Sequence, residues 1–449
     1  MPKPGLHDYL PRFMSTAKAL PGFRDFYPED LALRSYIFRV WREVAVRYGF
    51  EEYDGPPLEP LELYTGKSGE EIVGQLYEFQ DKGDRRVALR PEMTPTLARM
   101  VGARGGALKK PIRWFSMPQL FRYERQQRGR LREHFQLNCD LIGEPGPLAD
   151  AEIIALAIDV MRGFGLGPRD LRVRISDRRL LRALLDGEKQ TEEQIDLWHQ
   201  VLDKVHRVPE ETSLARLKEA GIAQGAIDRV LAVCKARRWE ELQAQAKGPE
   251  LKKAMESPGH ALAALKEMGL DEFVDLDLSI VRGLAYYTGT VFELHDAKGE
   301  LRAICGGGRY DQLVGSLGGP DLPCVGFGMG DVVLGELLKE RGLAPAPATA
   351  LDAFVVGIEG ADLPHVLRLA HELRDAGLRV EYALNAQPIA KQLRLADTRG
   401  ARFAVVMGAD ERARGEVMLK DLGAKSQQAV ARSAVLGLLL EGLGNLAGS

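Results

Sequence analysis

Five arginines, Arg122, Arg125, Arg128, Arg130 and Arg132, crowd the segment FRYERQQRGRLREHFQ between Phe121 and Gln136, centred on one glycine. Guanidinium groups packed this closely are costly without anions nearby, and the planar arginine fork matches phosphate oxygens two at a time. A nucleoside triphosphate or an RNA backbone is the natural partner, and a solvated arginine-rich hairpin is the alternative. Upstream, LRPEMTPTLARM sets Glu92 just ahead of Thr94 and Pro95, a pair suited to a helix start. A carboxylate there can bind an amine or act as an ordinary cap. Downstream, SIVRGLAYYTGTVFELH brings Arg282 together with Tyr286 and Tyr287 beside small residues that let a ligand approach the backbone. Arginine can fix a carboxylate there, whereas tyrosines alternating on a strand also serve as packing. The following ICGGGRYDQLVGSLGG adds Gly306, Gly307, Gly308 and a further cation, Arg309, although triple glycine equally marks a bulge or a sheet bend.

These segments need a scaffold, and hydrophobic periodicity supplies one. YYTGTVFELH alternates, DAKG turns, and ELRAICGGG can return as a partner strand, which predicts an antiparallel sheet. From about 188 to 268 the pattern changes to helical spacing with dense mixed charge, a helical insertion. The run LAPAPATALDA, Leu343 to Ala353, breaks all periodicity as a linker would. Beyond it, AFVVGI and ARFAVVMG read as buried strands and PIAKQLRLADTRG as a helix, so the tail forms a compact α/β domain. The expected organisation is residues 1–343 as one domain carrying the insertion, 344–352 as linker and 353–449 as a second domain.

Composition bounds what these elements can build. The 449 residues suffice for two or three cores, and 45% hydrophobic against 28% charged residues describes a folded globular chain. The formal charge of -3 means that any nucleic-acid contact must come from local basic patches. Cys139, Cys234, Cys305 and Cys324 are widely spaced with no CxxC pair, a pattern for neither a disulfide framework nor a zinc site. No segment reaches the apolar length of a membrane span, and the expectation is a soluble, cytoplasmic protein without membrane partners.

LPGFRDFYPED, LRPEMTPTLARM, FRYERQQRGRLREHFQLNCDLIG, VRGLAYYTGTVFE and GGGRYDQLV, in this order, resemble the histidyl-tRNA synthetases, a class II aminoacyl-tRNA synthetase family. The resemblance covers nearly the whole chain. It implies an antiparallel-sheet class II catalytic domain with a helical insertion, an α/β (α+β) fold completed by a C-terminal anticodon-binding domain. It further implies a homodimer whose first motif resembles YGFEEYDGPPLEP, and a ligase that joins L-histidine to tRNA(His) through an adenylate, with Mg2+ entering on ATP and no metal site of the protein's own.

Residue by residue, the resemblance implies that Glu92 and Thr94, helped by Gln136, hold the histidine ammonium, that Met93 and Arg122 also belong to the histidine pocket, and that Arg282 faces the carboxylate. Asp140, Tyr286 and Tyr287 would read the imidazole, and Arg122 would grip the α-phosphate. Arg122 and Arg282 would then be the catalytic cations. Glu124 and Arg130 would meet the rest of ATP, and Gln126, Gln127 and Arg128 the tRNA acceptor end. Three positions depart from the family pattern: Ala285 replaces the usual Asp of RGLDYY, Asp140 a commoner Glu, and Val333 the third-motif arginine. Arg130 is the expected substitute for that arginine at the outer phosphates. The rival reading is a non-catalytic synthetase-like regulatory subunit of ATP phosphoribosyltransferase, a class that usually lacks the anticodon domain and has eroded histidine motifs.

Overall fold

A computed structural model describes residues 18–65, 70–125, 127–203, 210–280, 286–299, 301–345 and 351–444. The chain divides into two compact units between Pro345 and Ala346. The strands of the first unit are β1 (Glu51–Glu52), β2 (Leu58–Pro60), β3 (Tyr77–Gln80), β4 (Arg86–Leu89), β5 (Ile112–Ser116), β6 (Gln119–Phe121), β7 (Glu133–Ile142), β8 (Leu171–Asp177), β9 (Val274–Leu276), β10 (Thr290–Asp296), β11 (Cys305–Arg309) and β12 (Cys324–Gly330). The main sheet runs β1-β5-β7-β12-β11-β10-β8-β9, with β6 also on β7. Its six central strands pair antiparallel, and the two outer pairs, β1 with β5 and β8 with β9, are parallel.

Alternation along these strands gives the sheet two different faces. Phe115, Leu137, Cys139, Leu141, Val325, Phe327, Met329, Phe292, Leu294, Val173 and Ile175 form one core with the helices Pro28–Arg47, Pro147–Gly163, Pro249–Glu267 and Asp331–Glu340. The residues between them point the other way and build the site. The hairpin expected around DAKG forms, with Leu294 opposite Cys305, but its return strand begins only at Cys305, leaving Leu301–Ile304 as a loop. A second core, around Leu185, Trp198, Ile227 and Leu242, holds the helical stretch together and already includes the helix Arg178–Gly187.

The second unit contains β13 (Leu351–Gly357), β14 (Val380–Tyr382), β15 (Ala401–Met407), β16 (Glu416–Asp421) and β17 (Ser426–Ala431), in the order β14-β13-β15-β16-β17. Here both faces are apolar. Ala353, Val355, Phe403 and Val405 pack beneath helices Leu363–Asp375 and Val435–Gly444, while Phe354, Val356 and Val406 pack beside helix Ile389–Thr398. That is why AFVVGI and ARFAVVMG are continuous apolar runs rather than alternating ones.

Candidate active site

Glycine makes the open face of the main sheet hollow. On β12, Gly326 lies opposite Asp140 and Gly330 opposite Gln136; on β11, Gly308 and Gly306 lie opposite Gly326 and Gly328. A methyl group on Gly326 would collide with the Asp140 carboxylate, and one on Gly328 would lie 2.6 Å from Gln136 Cδ. The side chains that alternate outward from β7 therefore lean across strands that carry none. These glycines serve close approach, the reading that the triple glycine left open.

Two phenol–carboxylate pairs stand on this floor. The Tyr286 hydroxyl donates to Glu92 Oε2 at 2.7 Å, and the Tyr310 hydroxyl donates to Asp140 Oδ1. The two rings meet edge to face with centroids 5.9 Å apart. Burial pushes the Asp140 carboxyl up to about 7, against the pull of the Tyr310 hydrogen bond, and its Oδ2 is buried without a hydrogen-bond partner among the described residues. Such an acceptor is costly unless a ligand donor meets it. Glu92 is not a helix cap: helix Thr94–Arg104 has Met93 at its N-cap, makes no side-chain cap bond, and Glu92 is buried beneath Tyr286. Tyr287 sits in an apolar cluster with Leu97, Val101 and Val291.

Beside these pairs opens a cavity of about 1050 Å³ lined by Arg122, Glu124, Arg130, His134 and Gln136 from the arginine-rich segment, by Glu293 and Arg302 from the hairpin, and by Val333. Arg122 is oriented by its Nε, which donates to the Pro91 carbonyl at 2.9 Å. Arg130 pairs with Glu124 at 2.9 Å, and Arg128 pairs with Glu336 at 3.3 Å and with Glu340. His134 is held neutral, pushed down to about 3 by burial and by Arg122 and Arg24. Arg24 ties the LPGFRDF segment to the cavity wall through Glu133 at 2.6 Å and Asp331 at 2.8 Å.

Met93 is fully buried, with its sulfur 3.8 Å from Arg90 Nη1. One expectation needs correction. Arg309 points to the opposite, helix-covered face, where it grips Asp150 through Nε at 3.1 Å and Nη2 at 2.9 Å with both side chains buried. Arg282 and Gln126 lie outside the described residues. Sequence reasoning assigned no role to Tyr310, whose signal was its place at the end of the glycine strand, or to Arg302.

A family profile described as histidyl-tRNA synthetase matches residues 22–330. The chain belongs to the histidyl-tRNA synthetase family. A profile described as an anticodon binding domain matches residues 352–442. The chain is 47% identical to a histidine–tRNA ligase of Opitutus terrae over 94% of this chain and 98% of that one. It is 40% identical to the chloroplastic/mitochondrial histidine–tRNA ligase of Arabidopsis thaliana over 90% and 83%. Among solved structures, histidyl-tRNA synthetase from Nostoc sp. superposes with a TM-score of 0.80 at 26% identity, covering 95% of this chain and all of that one. A Bacillus halodurans protein described as an ATP phosphoribosyltransferase regulatory subunit/histidyl-tRNA synthetase shares the fold alone, at 22% identity and a TM-score of 0.76 over 89% of this chain and all of that one. The family evidence favours the ligase over the regulatory reading.

Proposed function

We propose that the cavity activates L-histidine with ATP and passes the histidyl group to the 3′ end of tRNA(His). The observation that carries this is the pairing of two tyrosine-held carboxylates with an adjoining arginine-lined cavity: one carboxylate suits an ammonium, the other an imidazole N–H, and the arginines suit a triphosphate. Glu92, Thr94 and Gln136 hold the ammonium, while Asp140, held by Tyr310, accepts from the imidazole, which Tyr286 and Tyr287 also read. The demand for a ring donor at a buried acceptor rejects isosteres that lack it. Arg282 faces the carboxylate. ATP enters as its Mg2+ complex, the ion neutralising phosphate charge.

The histidine carboxylate oxygen attacks the α-phosphorus, the bond to the β-phosphate oxygen breaks, and pyrophosphate leaves with its electron pair. Arg122, preorganised against the Pro91 carbonyl, stabilises the charge that grows on the α-phosphoryl oxygens, and no general base is needed because the nucleophile is already ionised. Gln127 and Arg128 guide the acceptor end, together with Gln126. Residues 353–449 bind the anticodon, and the functional particle is a cytoplasmic homodimer. Among the described residues no helix is long and apolar enough to cross a membrane.

Histidine-dependent ATP–pyrophosphate exchange tests the activation step; its absence in the folded protein would overturn the reading. Deleting residues 345–449 should preserve exchange and depress tRNA charging, and unchanged charging by a folded truncation would remove the anticodon assignment. Sedimentation of the full chain checks the dimer.

A further inference from the structure

Val333 sits on the first turn of helix Asp331–Glu340, buried, with its side chain on the cavity wall. The tip of the arginine-rich loop meets it there: a methyl group on Gly129 would lie 3.2 Å from Val333 Cγ2 and 3.8 Å from Arg302 Cδ. The aliphatic stem of Arg302 thus occupies the space next to the residue that replaces the third-motif arginine. Its guanidinium Nη2 donates to Gln127 Oε1 at 2.6 Å. Gln127 is itself bridged through its backbone to Arg130. Arg302 comes from the Leu301–Ile304 loop and lines the same cavity as Arg130, packed against the loop that carries it.

We propose that Arg302 is the cation that binds the β- and γ-phosphates of ATP in place of an arginine at position 333, together with Arg130. The inference rests on the reading of the cavity as the ATP site. A neutral amide oxygen is a weaker acceptor for guanidinium than a phosphate oxygen, so the Gln127 contact is one that a triphosphate can displace. When the bond between the α-phosphorus and the β-phosphate oxygen breaks, the electron pair goes to the leaving pyrophosphate, and a fork placed at the outer phosphates stabilises that added charge. Arg130, which pairs with Glu124 at 2.9 Å, supplies the second cation.

The experiment compares the full-length parent with Arg302→Gln and Arg302→Lys, measuring exchange kinetics and, by calorimetry, binding of ATP, pyrophosphate, AMP and histidine. Loss of a charged hydrogen bond predicts that Arg302→Gln weakens ATP and pyrophosphate about tenfold or more, with Lys intermediate. AMP, which has no outer phosphates, and histidine should bind within about twofold of the parent. Equal weakening of ATP and AMP would mean that Arg302 merely shapes the loop, and unchanged ATP binding would mean that it does not meet the phosphates; either result overturns the proposal. A parent that binds ATP but shows no histidine-dependent exchange would fail the functional reading while leaving the phosphate contact measurable.

Discussion

The two sheets of this chain treat their faces differently. In the second unit, helices cover both faces of β13 and β15, and every residue from Ala353 to Val356 is buried. In the first, one face is equally apolar, but the other is a floor of Gly306, Gly308, Gly326 and Gly328 from which Gln136 and Asp140 rise. A sheet buried on both sides has no room for a ligand except beyond its strand ends, whereas a sheet with one hollow face can seat one on top of its strands. The charges of the second unit are balanced. Between residues 345 and 449, 12 Lys plus Arg balance 12 Asp plus Glu. Many of those arginines are tied up in pairs such as Arg379–Asp352, Arg399–Glu381 and Arg412–Asp362.

If the two faces of the first sheet divide stability from chemistry, substitutions on them should separate. The largest stability loss is expected on the helix-covered side from Asp150→Ala, which removes the buried partner of Arg309 and leaves it only the half-exposed Asp311 at 3.3 Å and two backbone carbonyls. Removing one partner of such a pair costs about 3–5 kcal/mol, readable by urea denaturation. Gly328→Ala on the hollow face should do the reverse, displacing Gln136 and reducing kcat/KM for histidine about a hundredfold while the denaturation midpoint barely moves. A Gly328→Ala protein that unfolds as readily as Asp150→Ala would break the division. In the second unit Val405→Ala, at a fully buried position, should cost about 1–3 kcal/mol and leave histidine-dependent exchange unchanged.

What the sequence disclosed follows from how local each signal is. Continuous apolar strands and the Pro-rich break announce themselves within a dozen residues, and the arginine-rich loop, the glycines and the tyrosine pair are short motifs. Facing direction is a longer-range property. Arg309 reads as a site cation beside GGG, yet strand alternation turns it to Asp150, 159 positions away in the chain. Arg302 was hidden for the opposite reason. ELRAIC carries strand-like residues, but pairing starts at Cys305, and the released loop swings the guanidinium to the cavity. Tyr310 needed the fold as well, since only sheet register brings it to Asp140.

The expected effect most specific to the hollow face depends on pH. Asp140 has its carboxyl raised from 3.8 to about 7 by burial. Between those values the native state holds a proton that the unfolded chain has released, so this group makes stability fall as pH rises from about 4 to 7, by about 1.4 kcal/mol for each pH unit of displacement. His134 works in the other direction: its folded value of about 3 lies below its ordinary 6.5, and its contribution is lost as pH falls through that interval. That opposing slope is common to the parent and Asp140→Asn, so it cancels when the two are compared. The Asn variant should therefore gain stability relative to the parent between pH 5 and pH 8, read from paired urea titrations. In kinetics, the parent should bind histidine more tightly as the carboxylate forms near pH 7, and the amide should flatten that dependence of KM. Parallel stability curves for the two proteins would mean that Asp140 is charged throughout, so that the glycine floor does not isolate it from water as its burial implies.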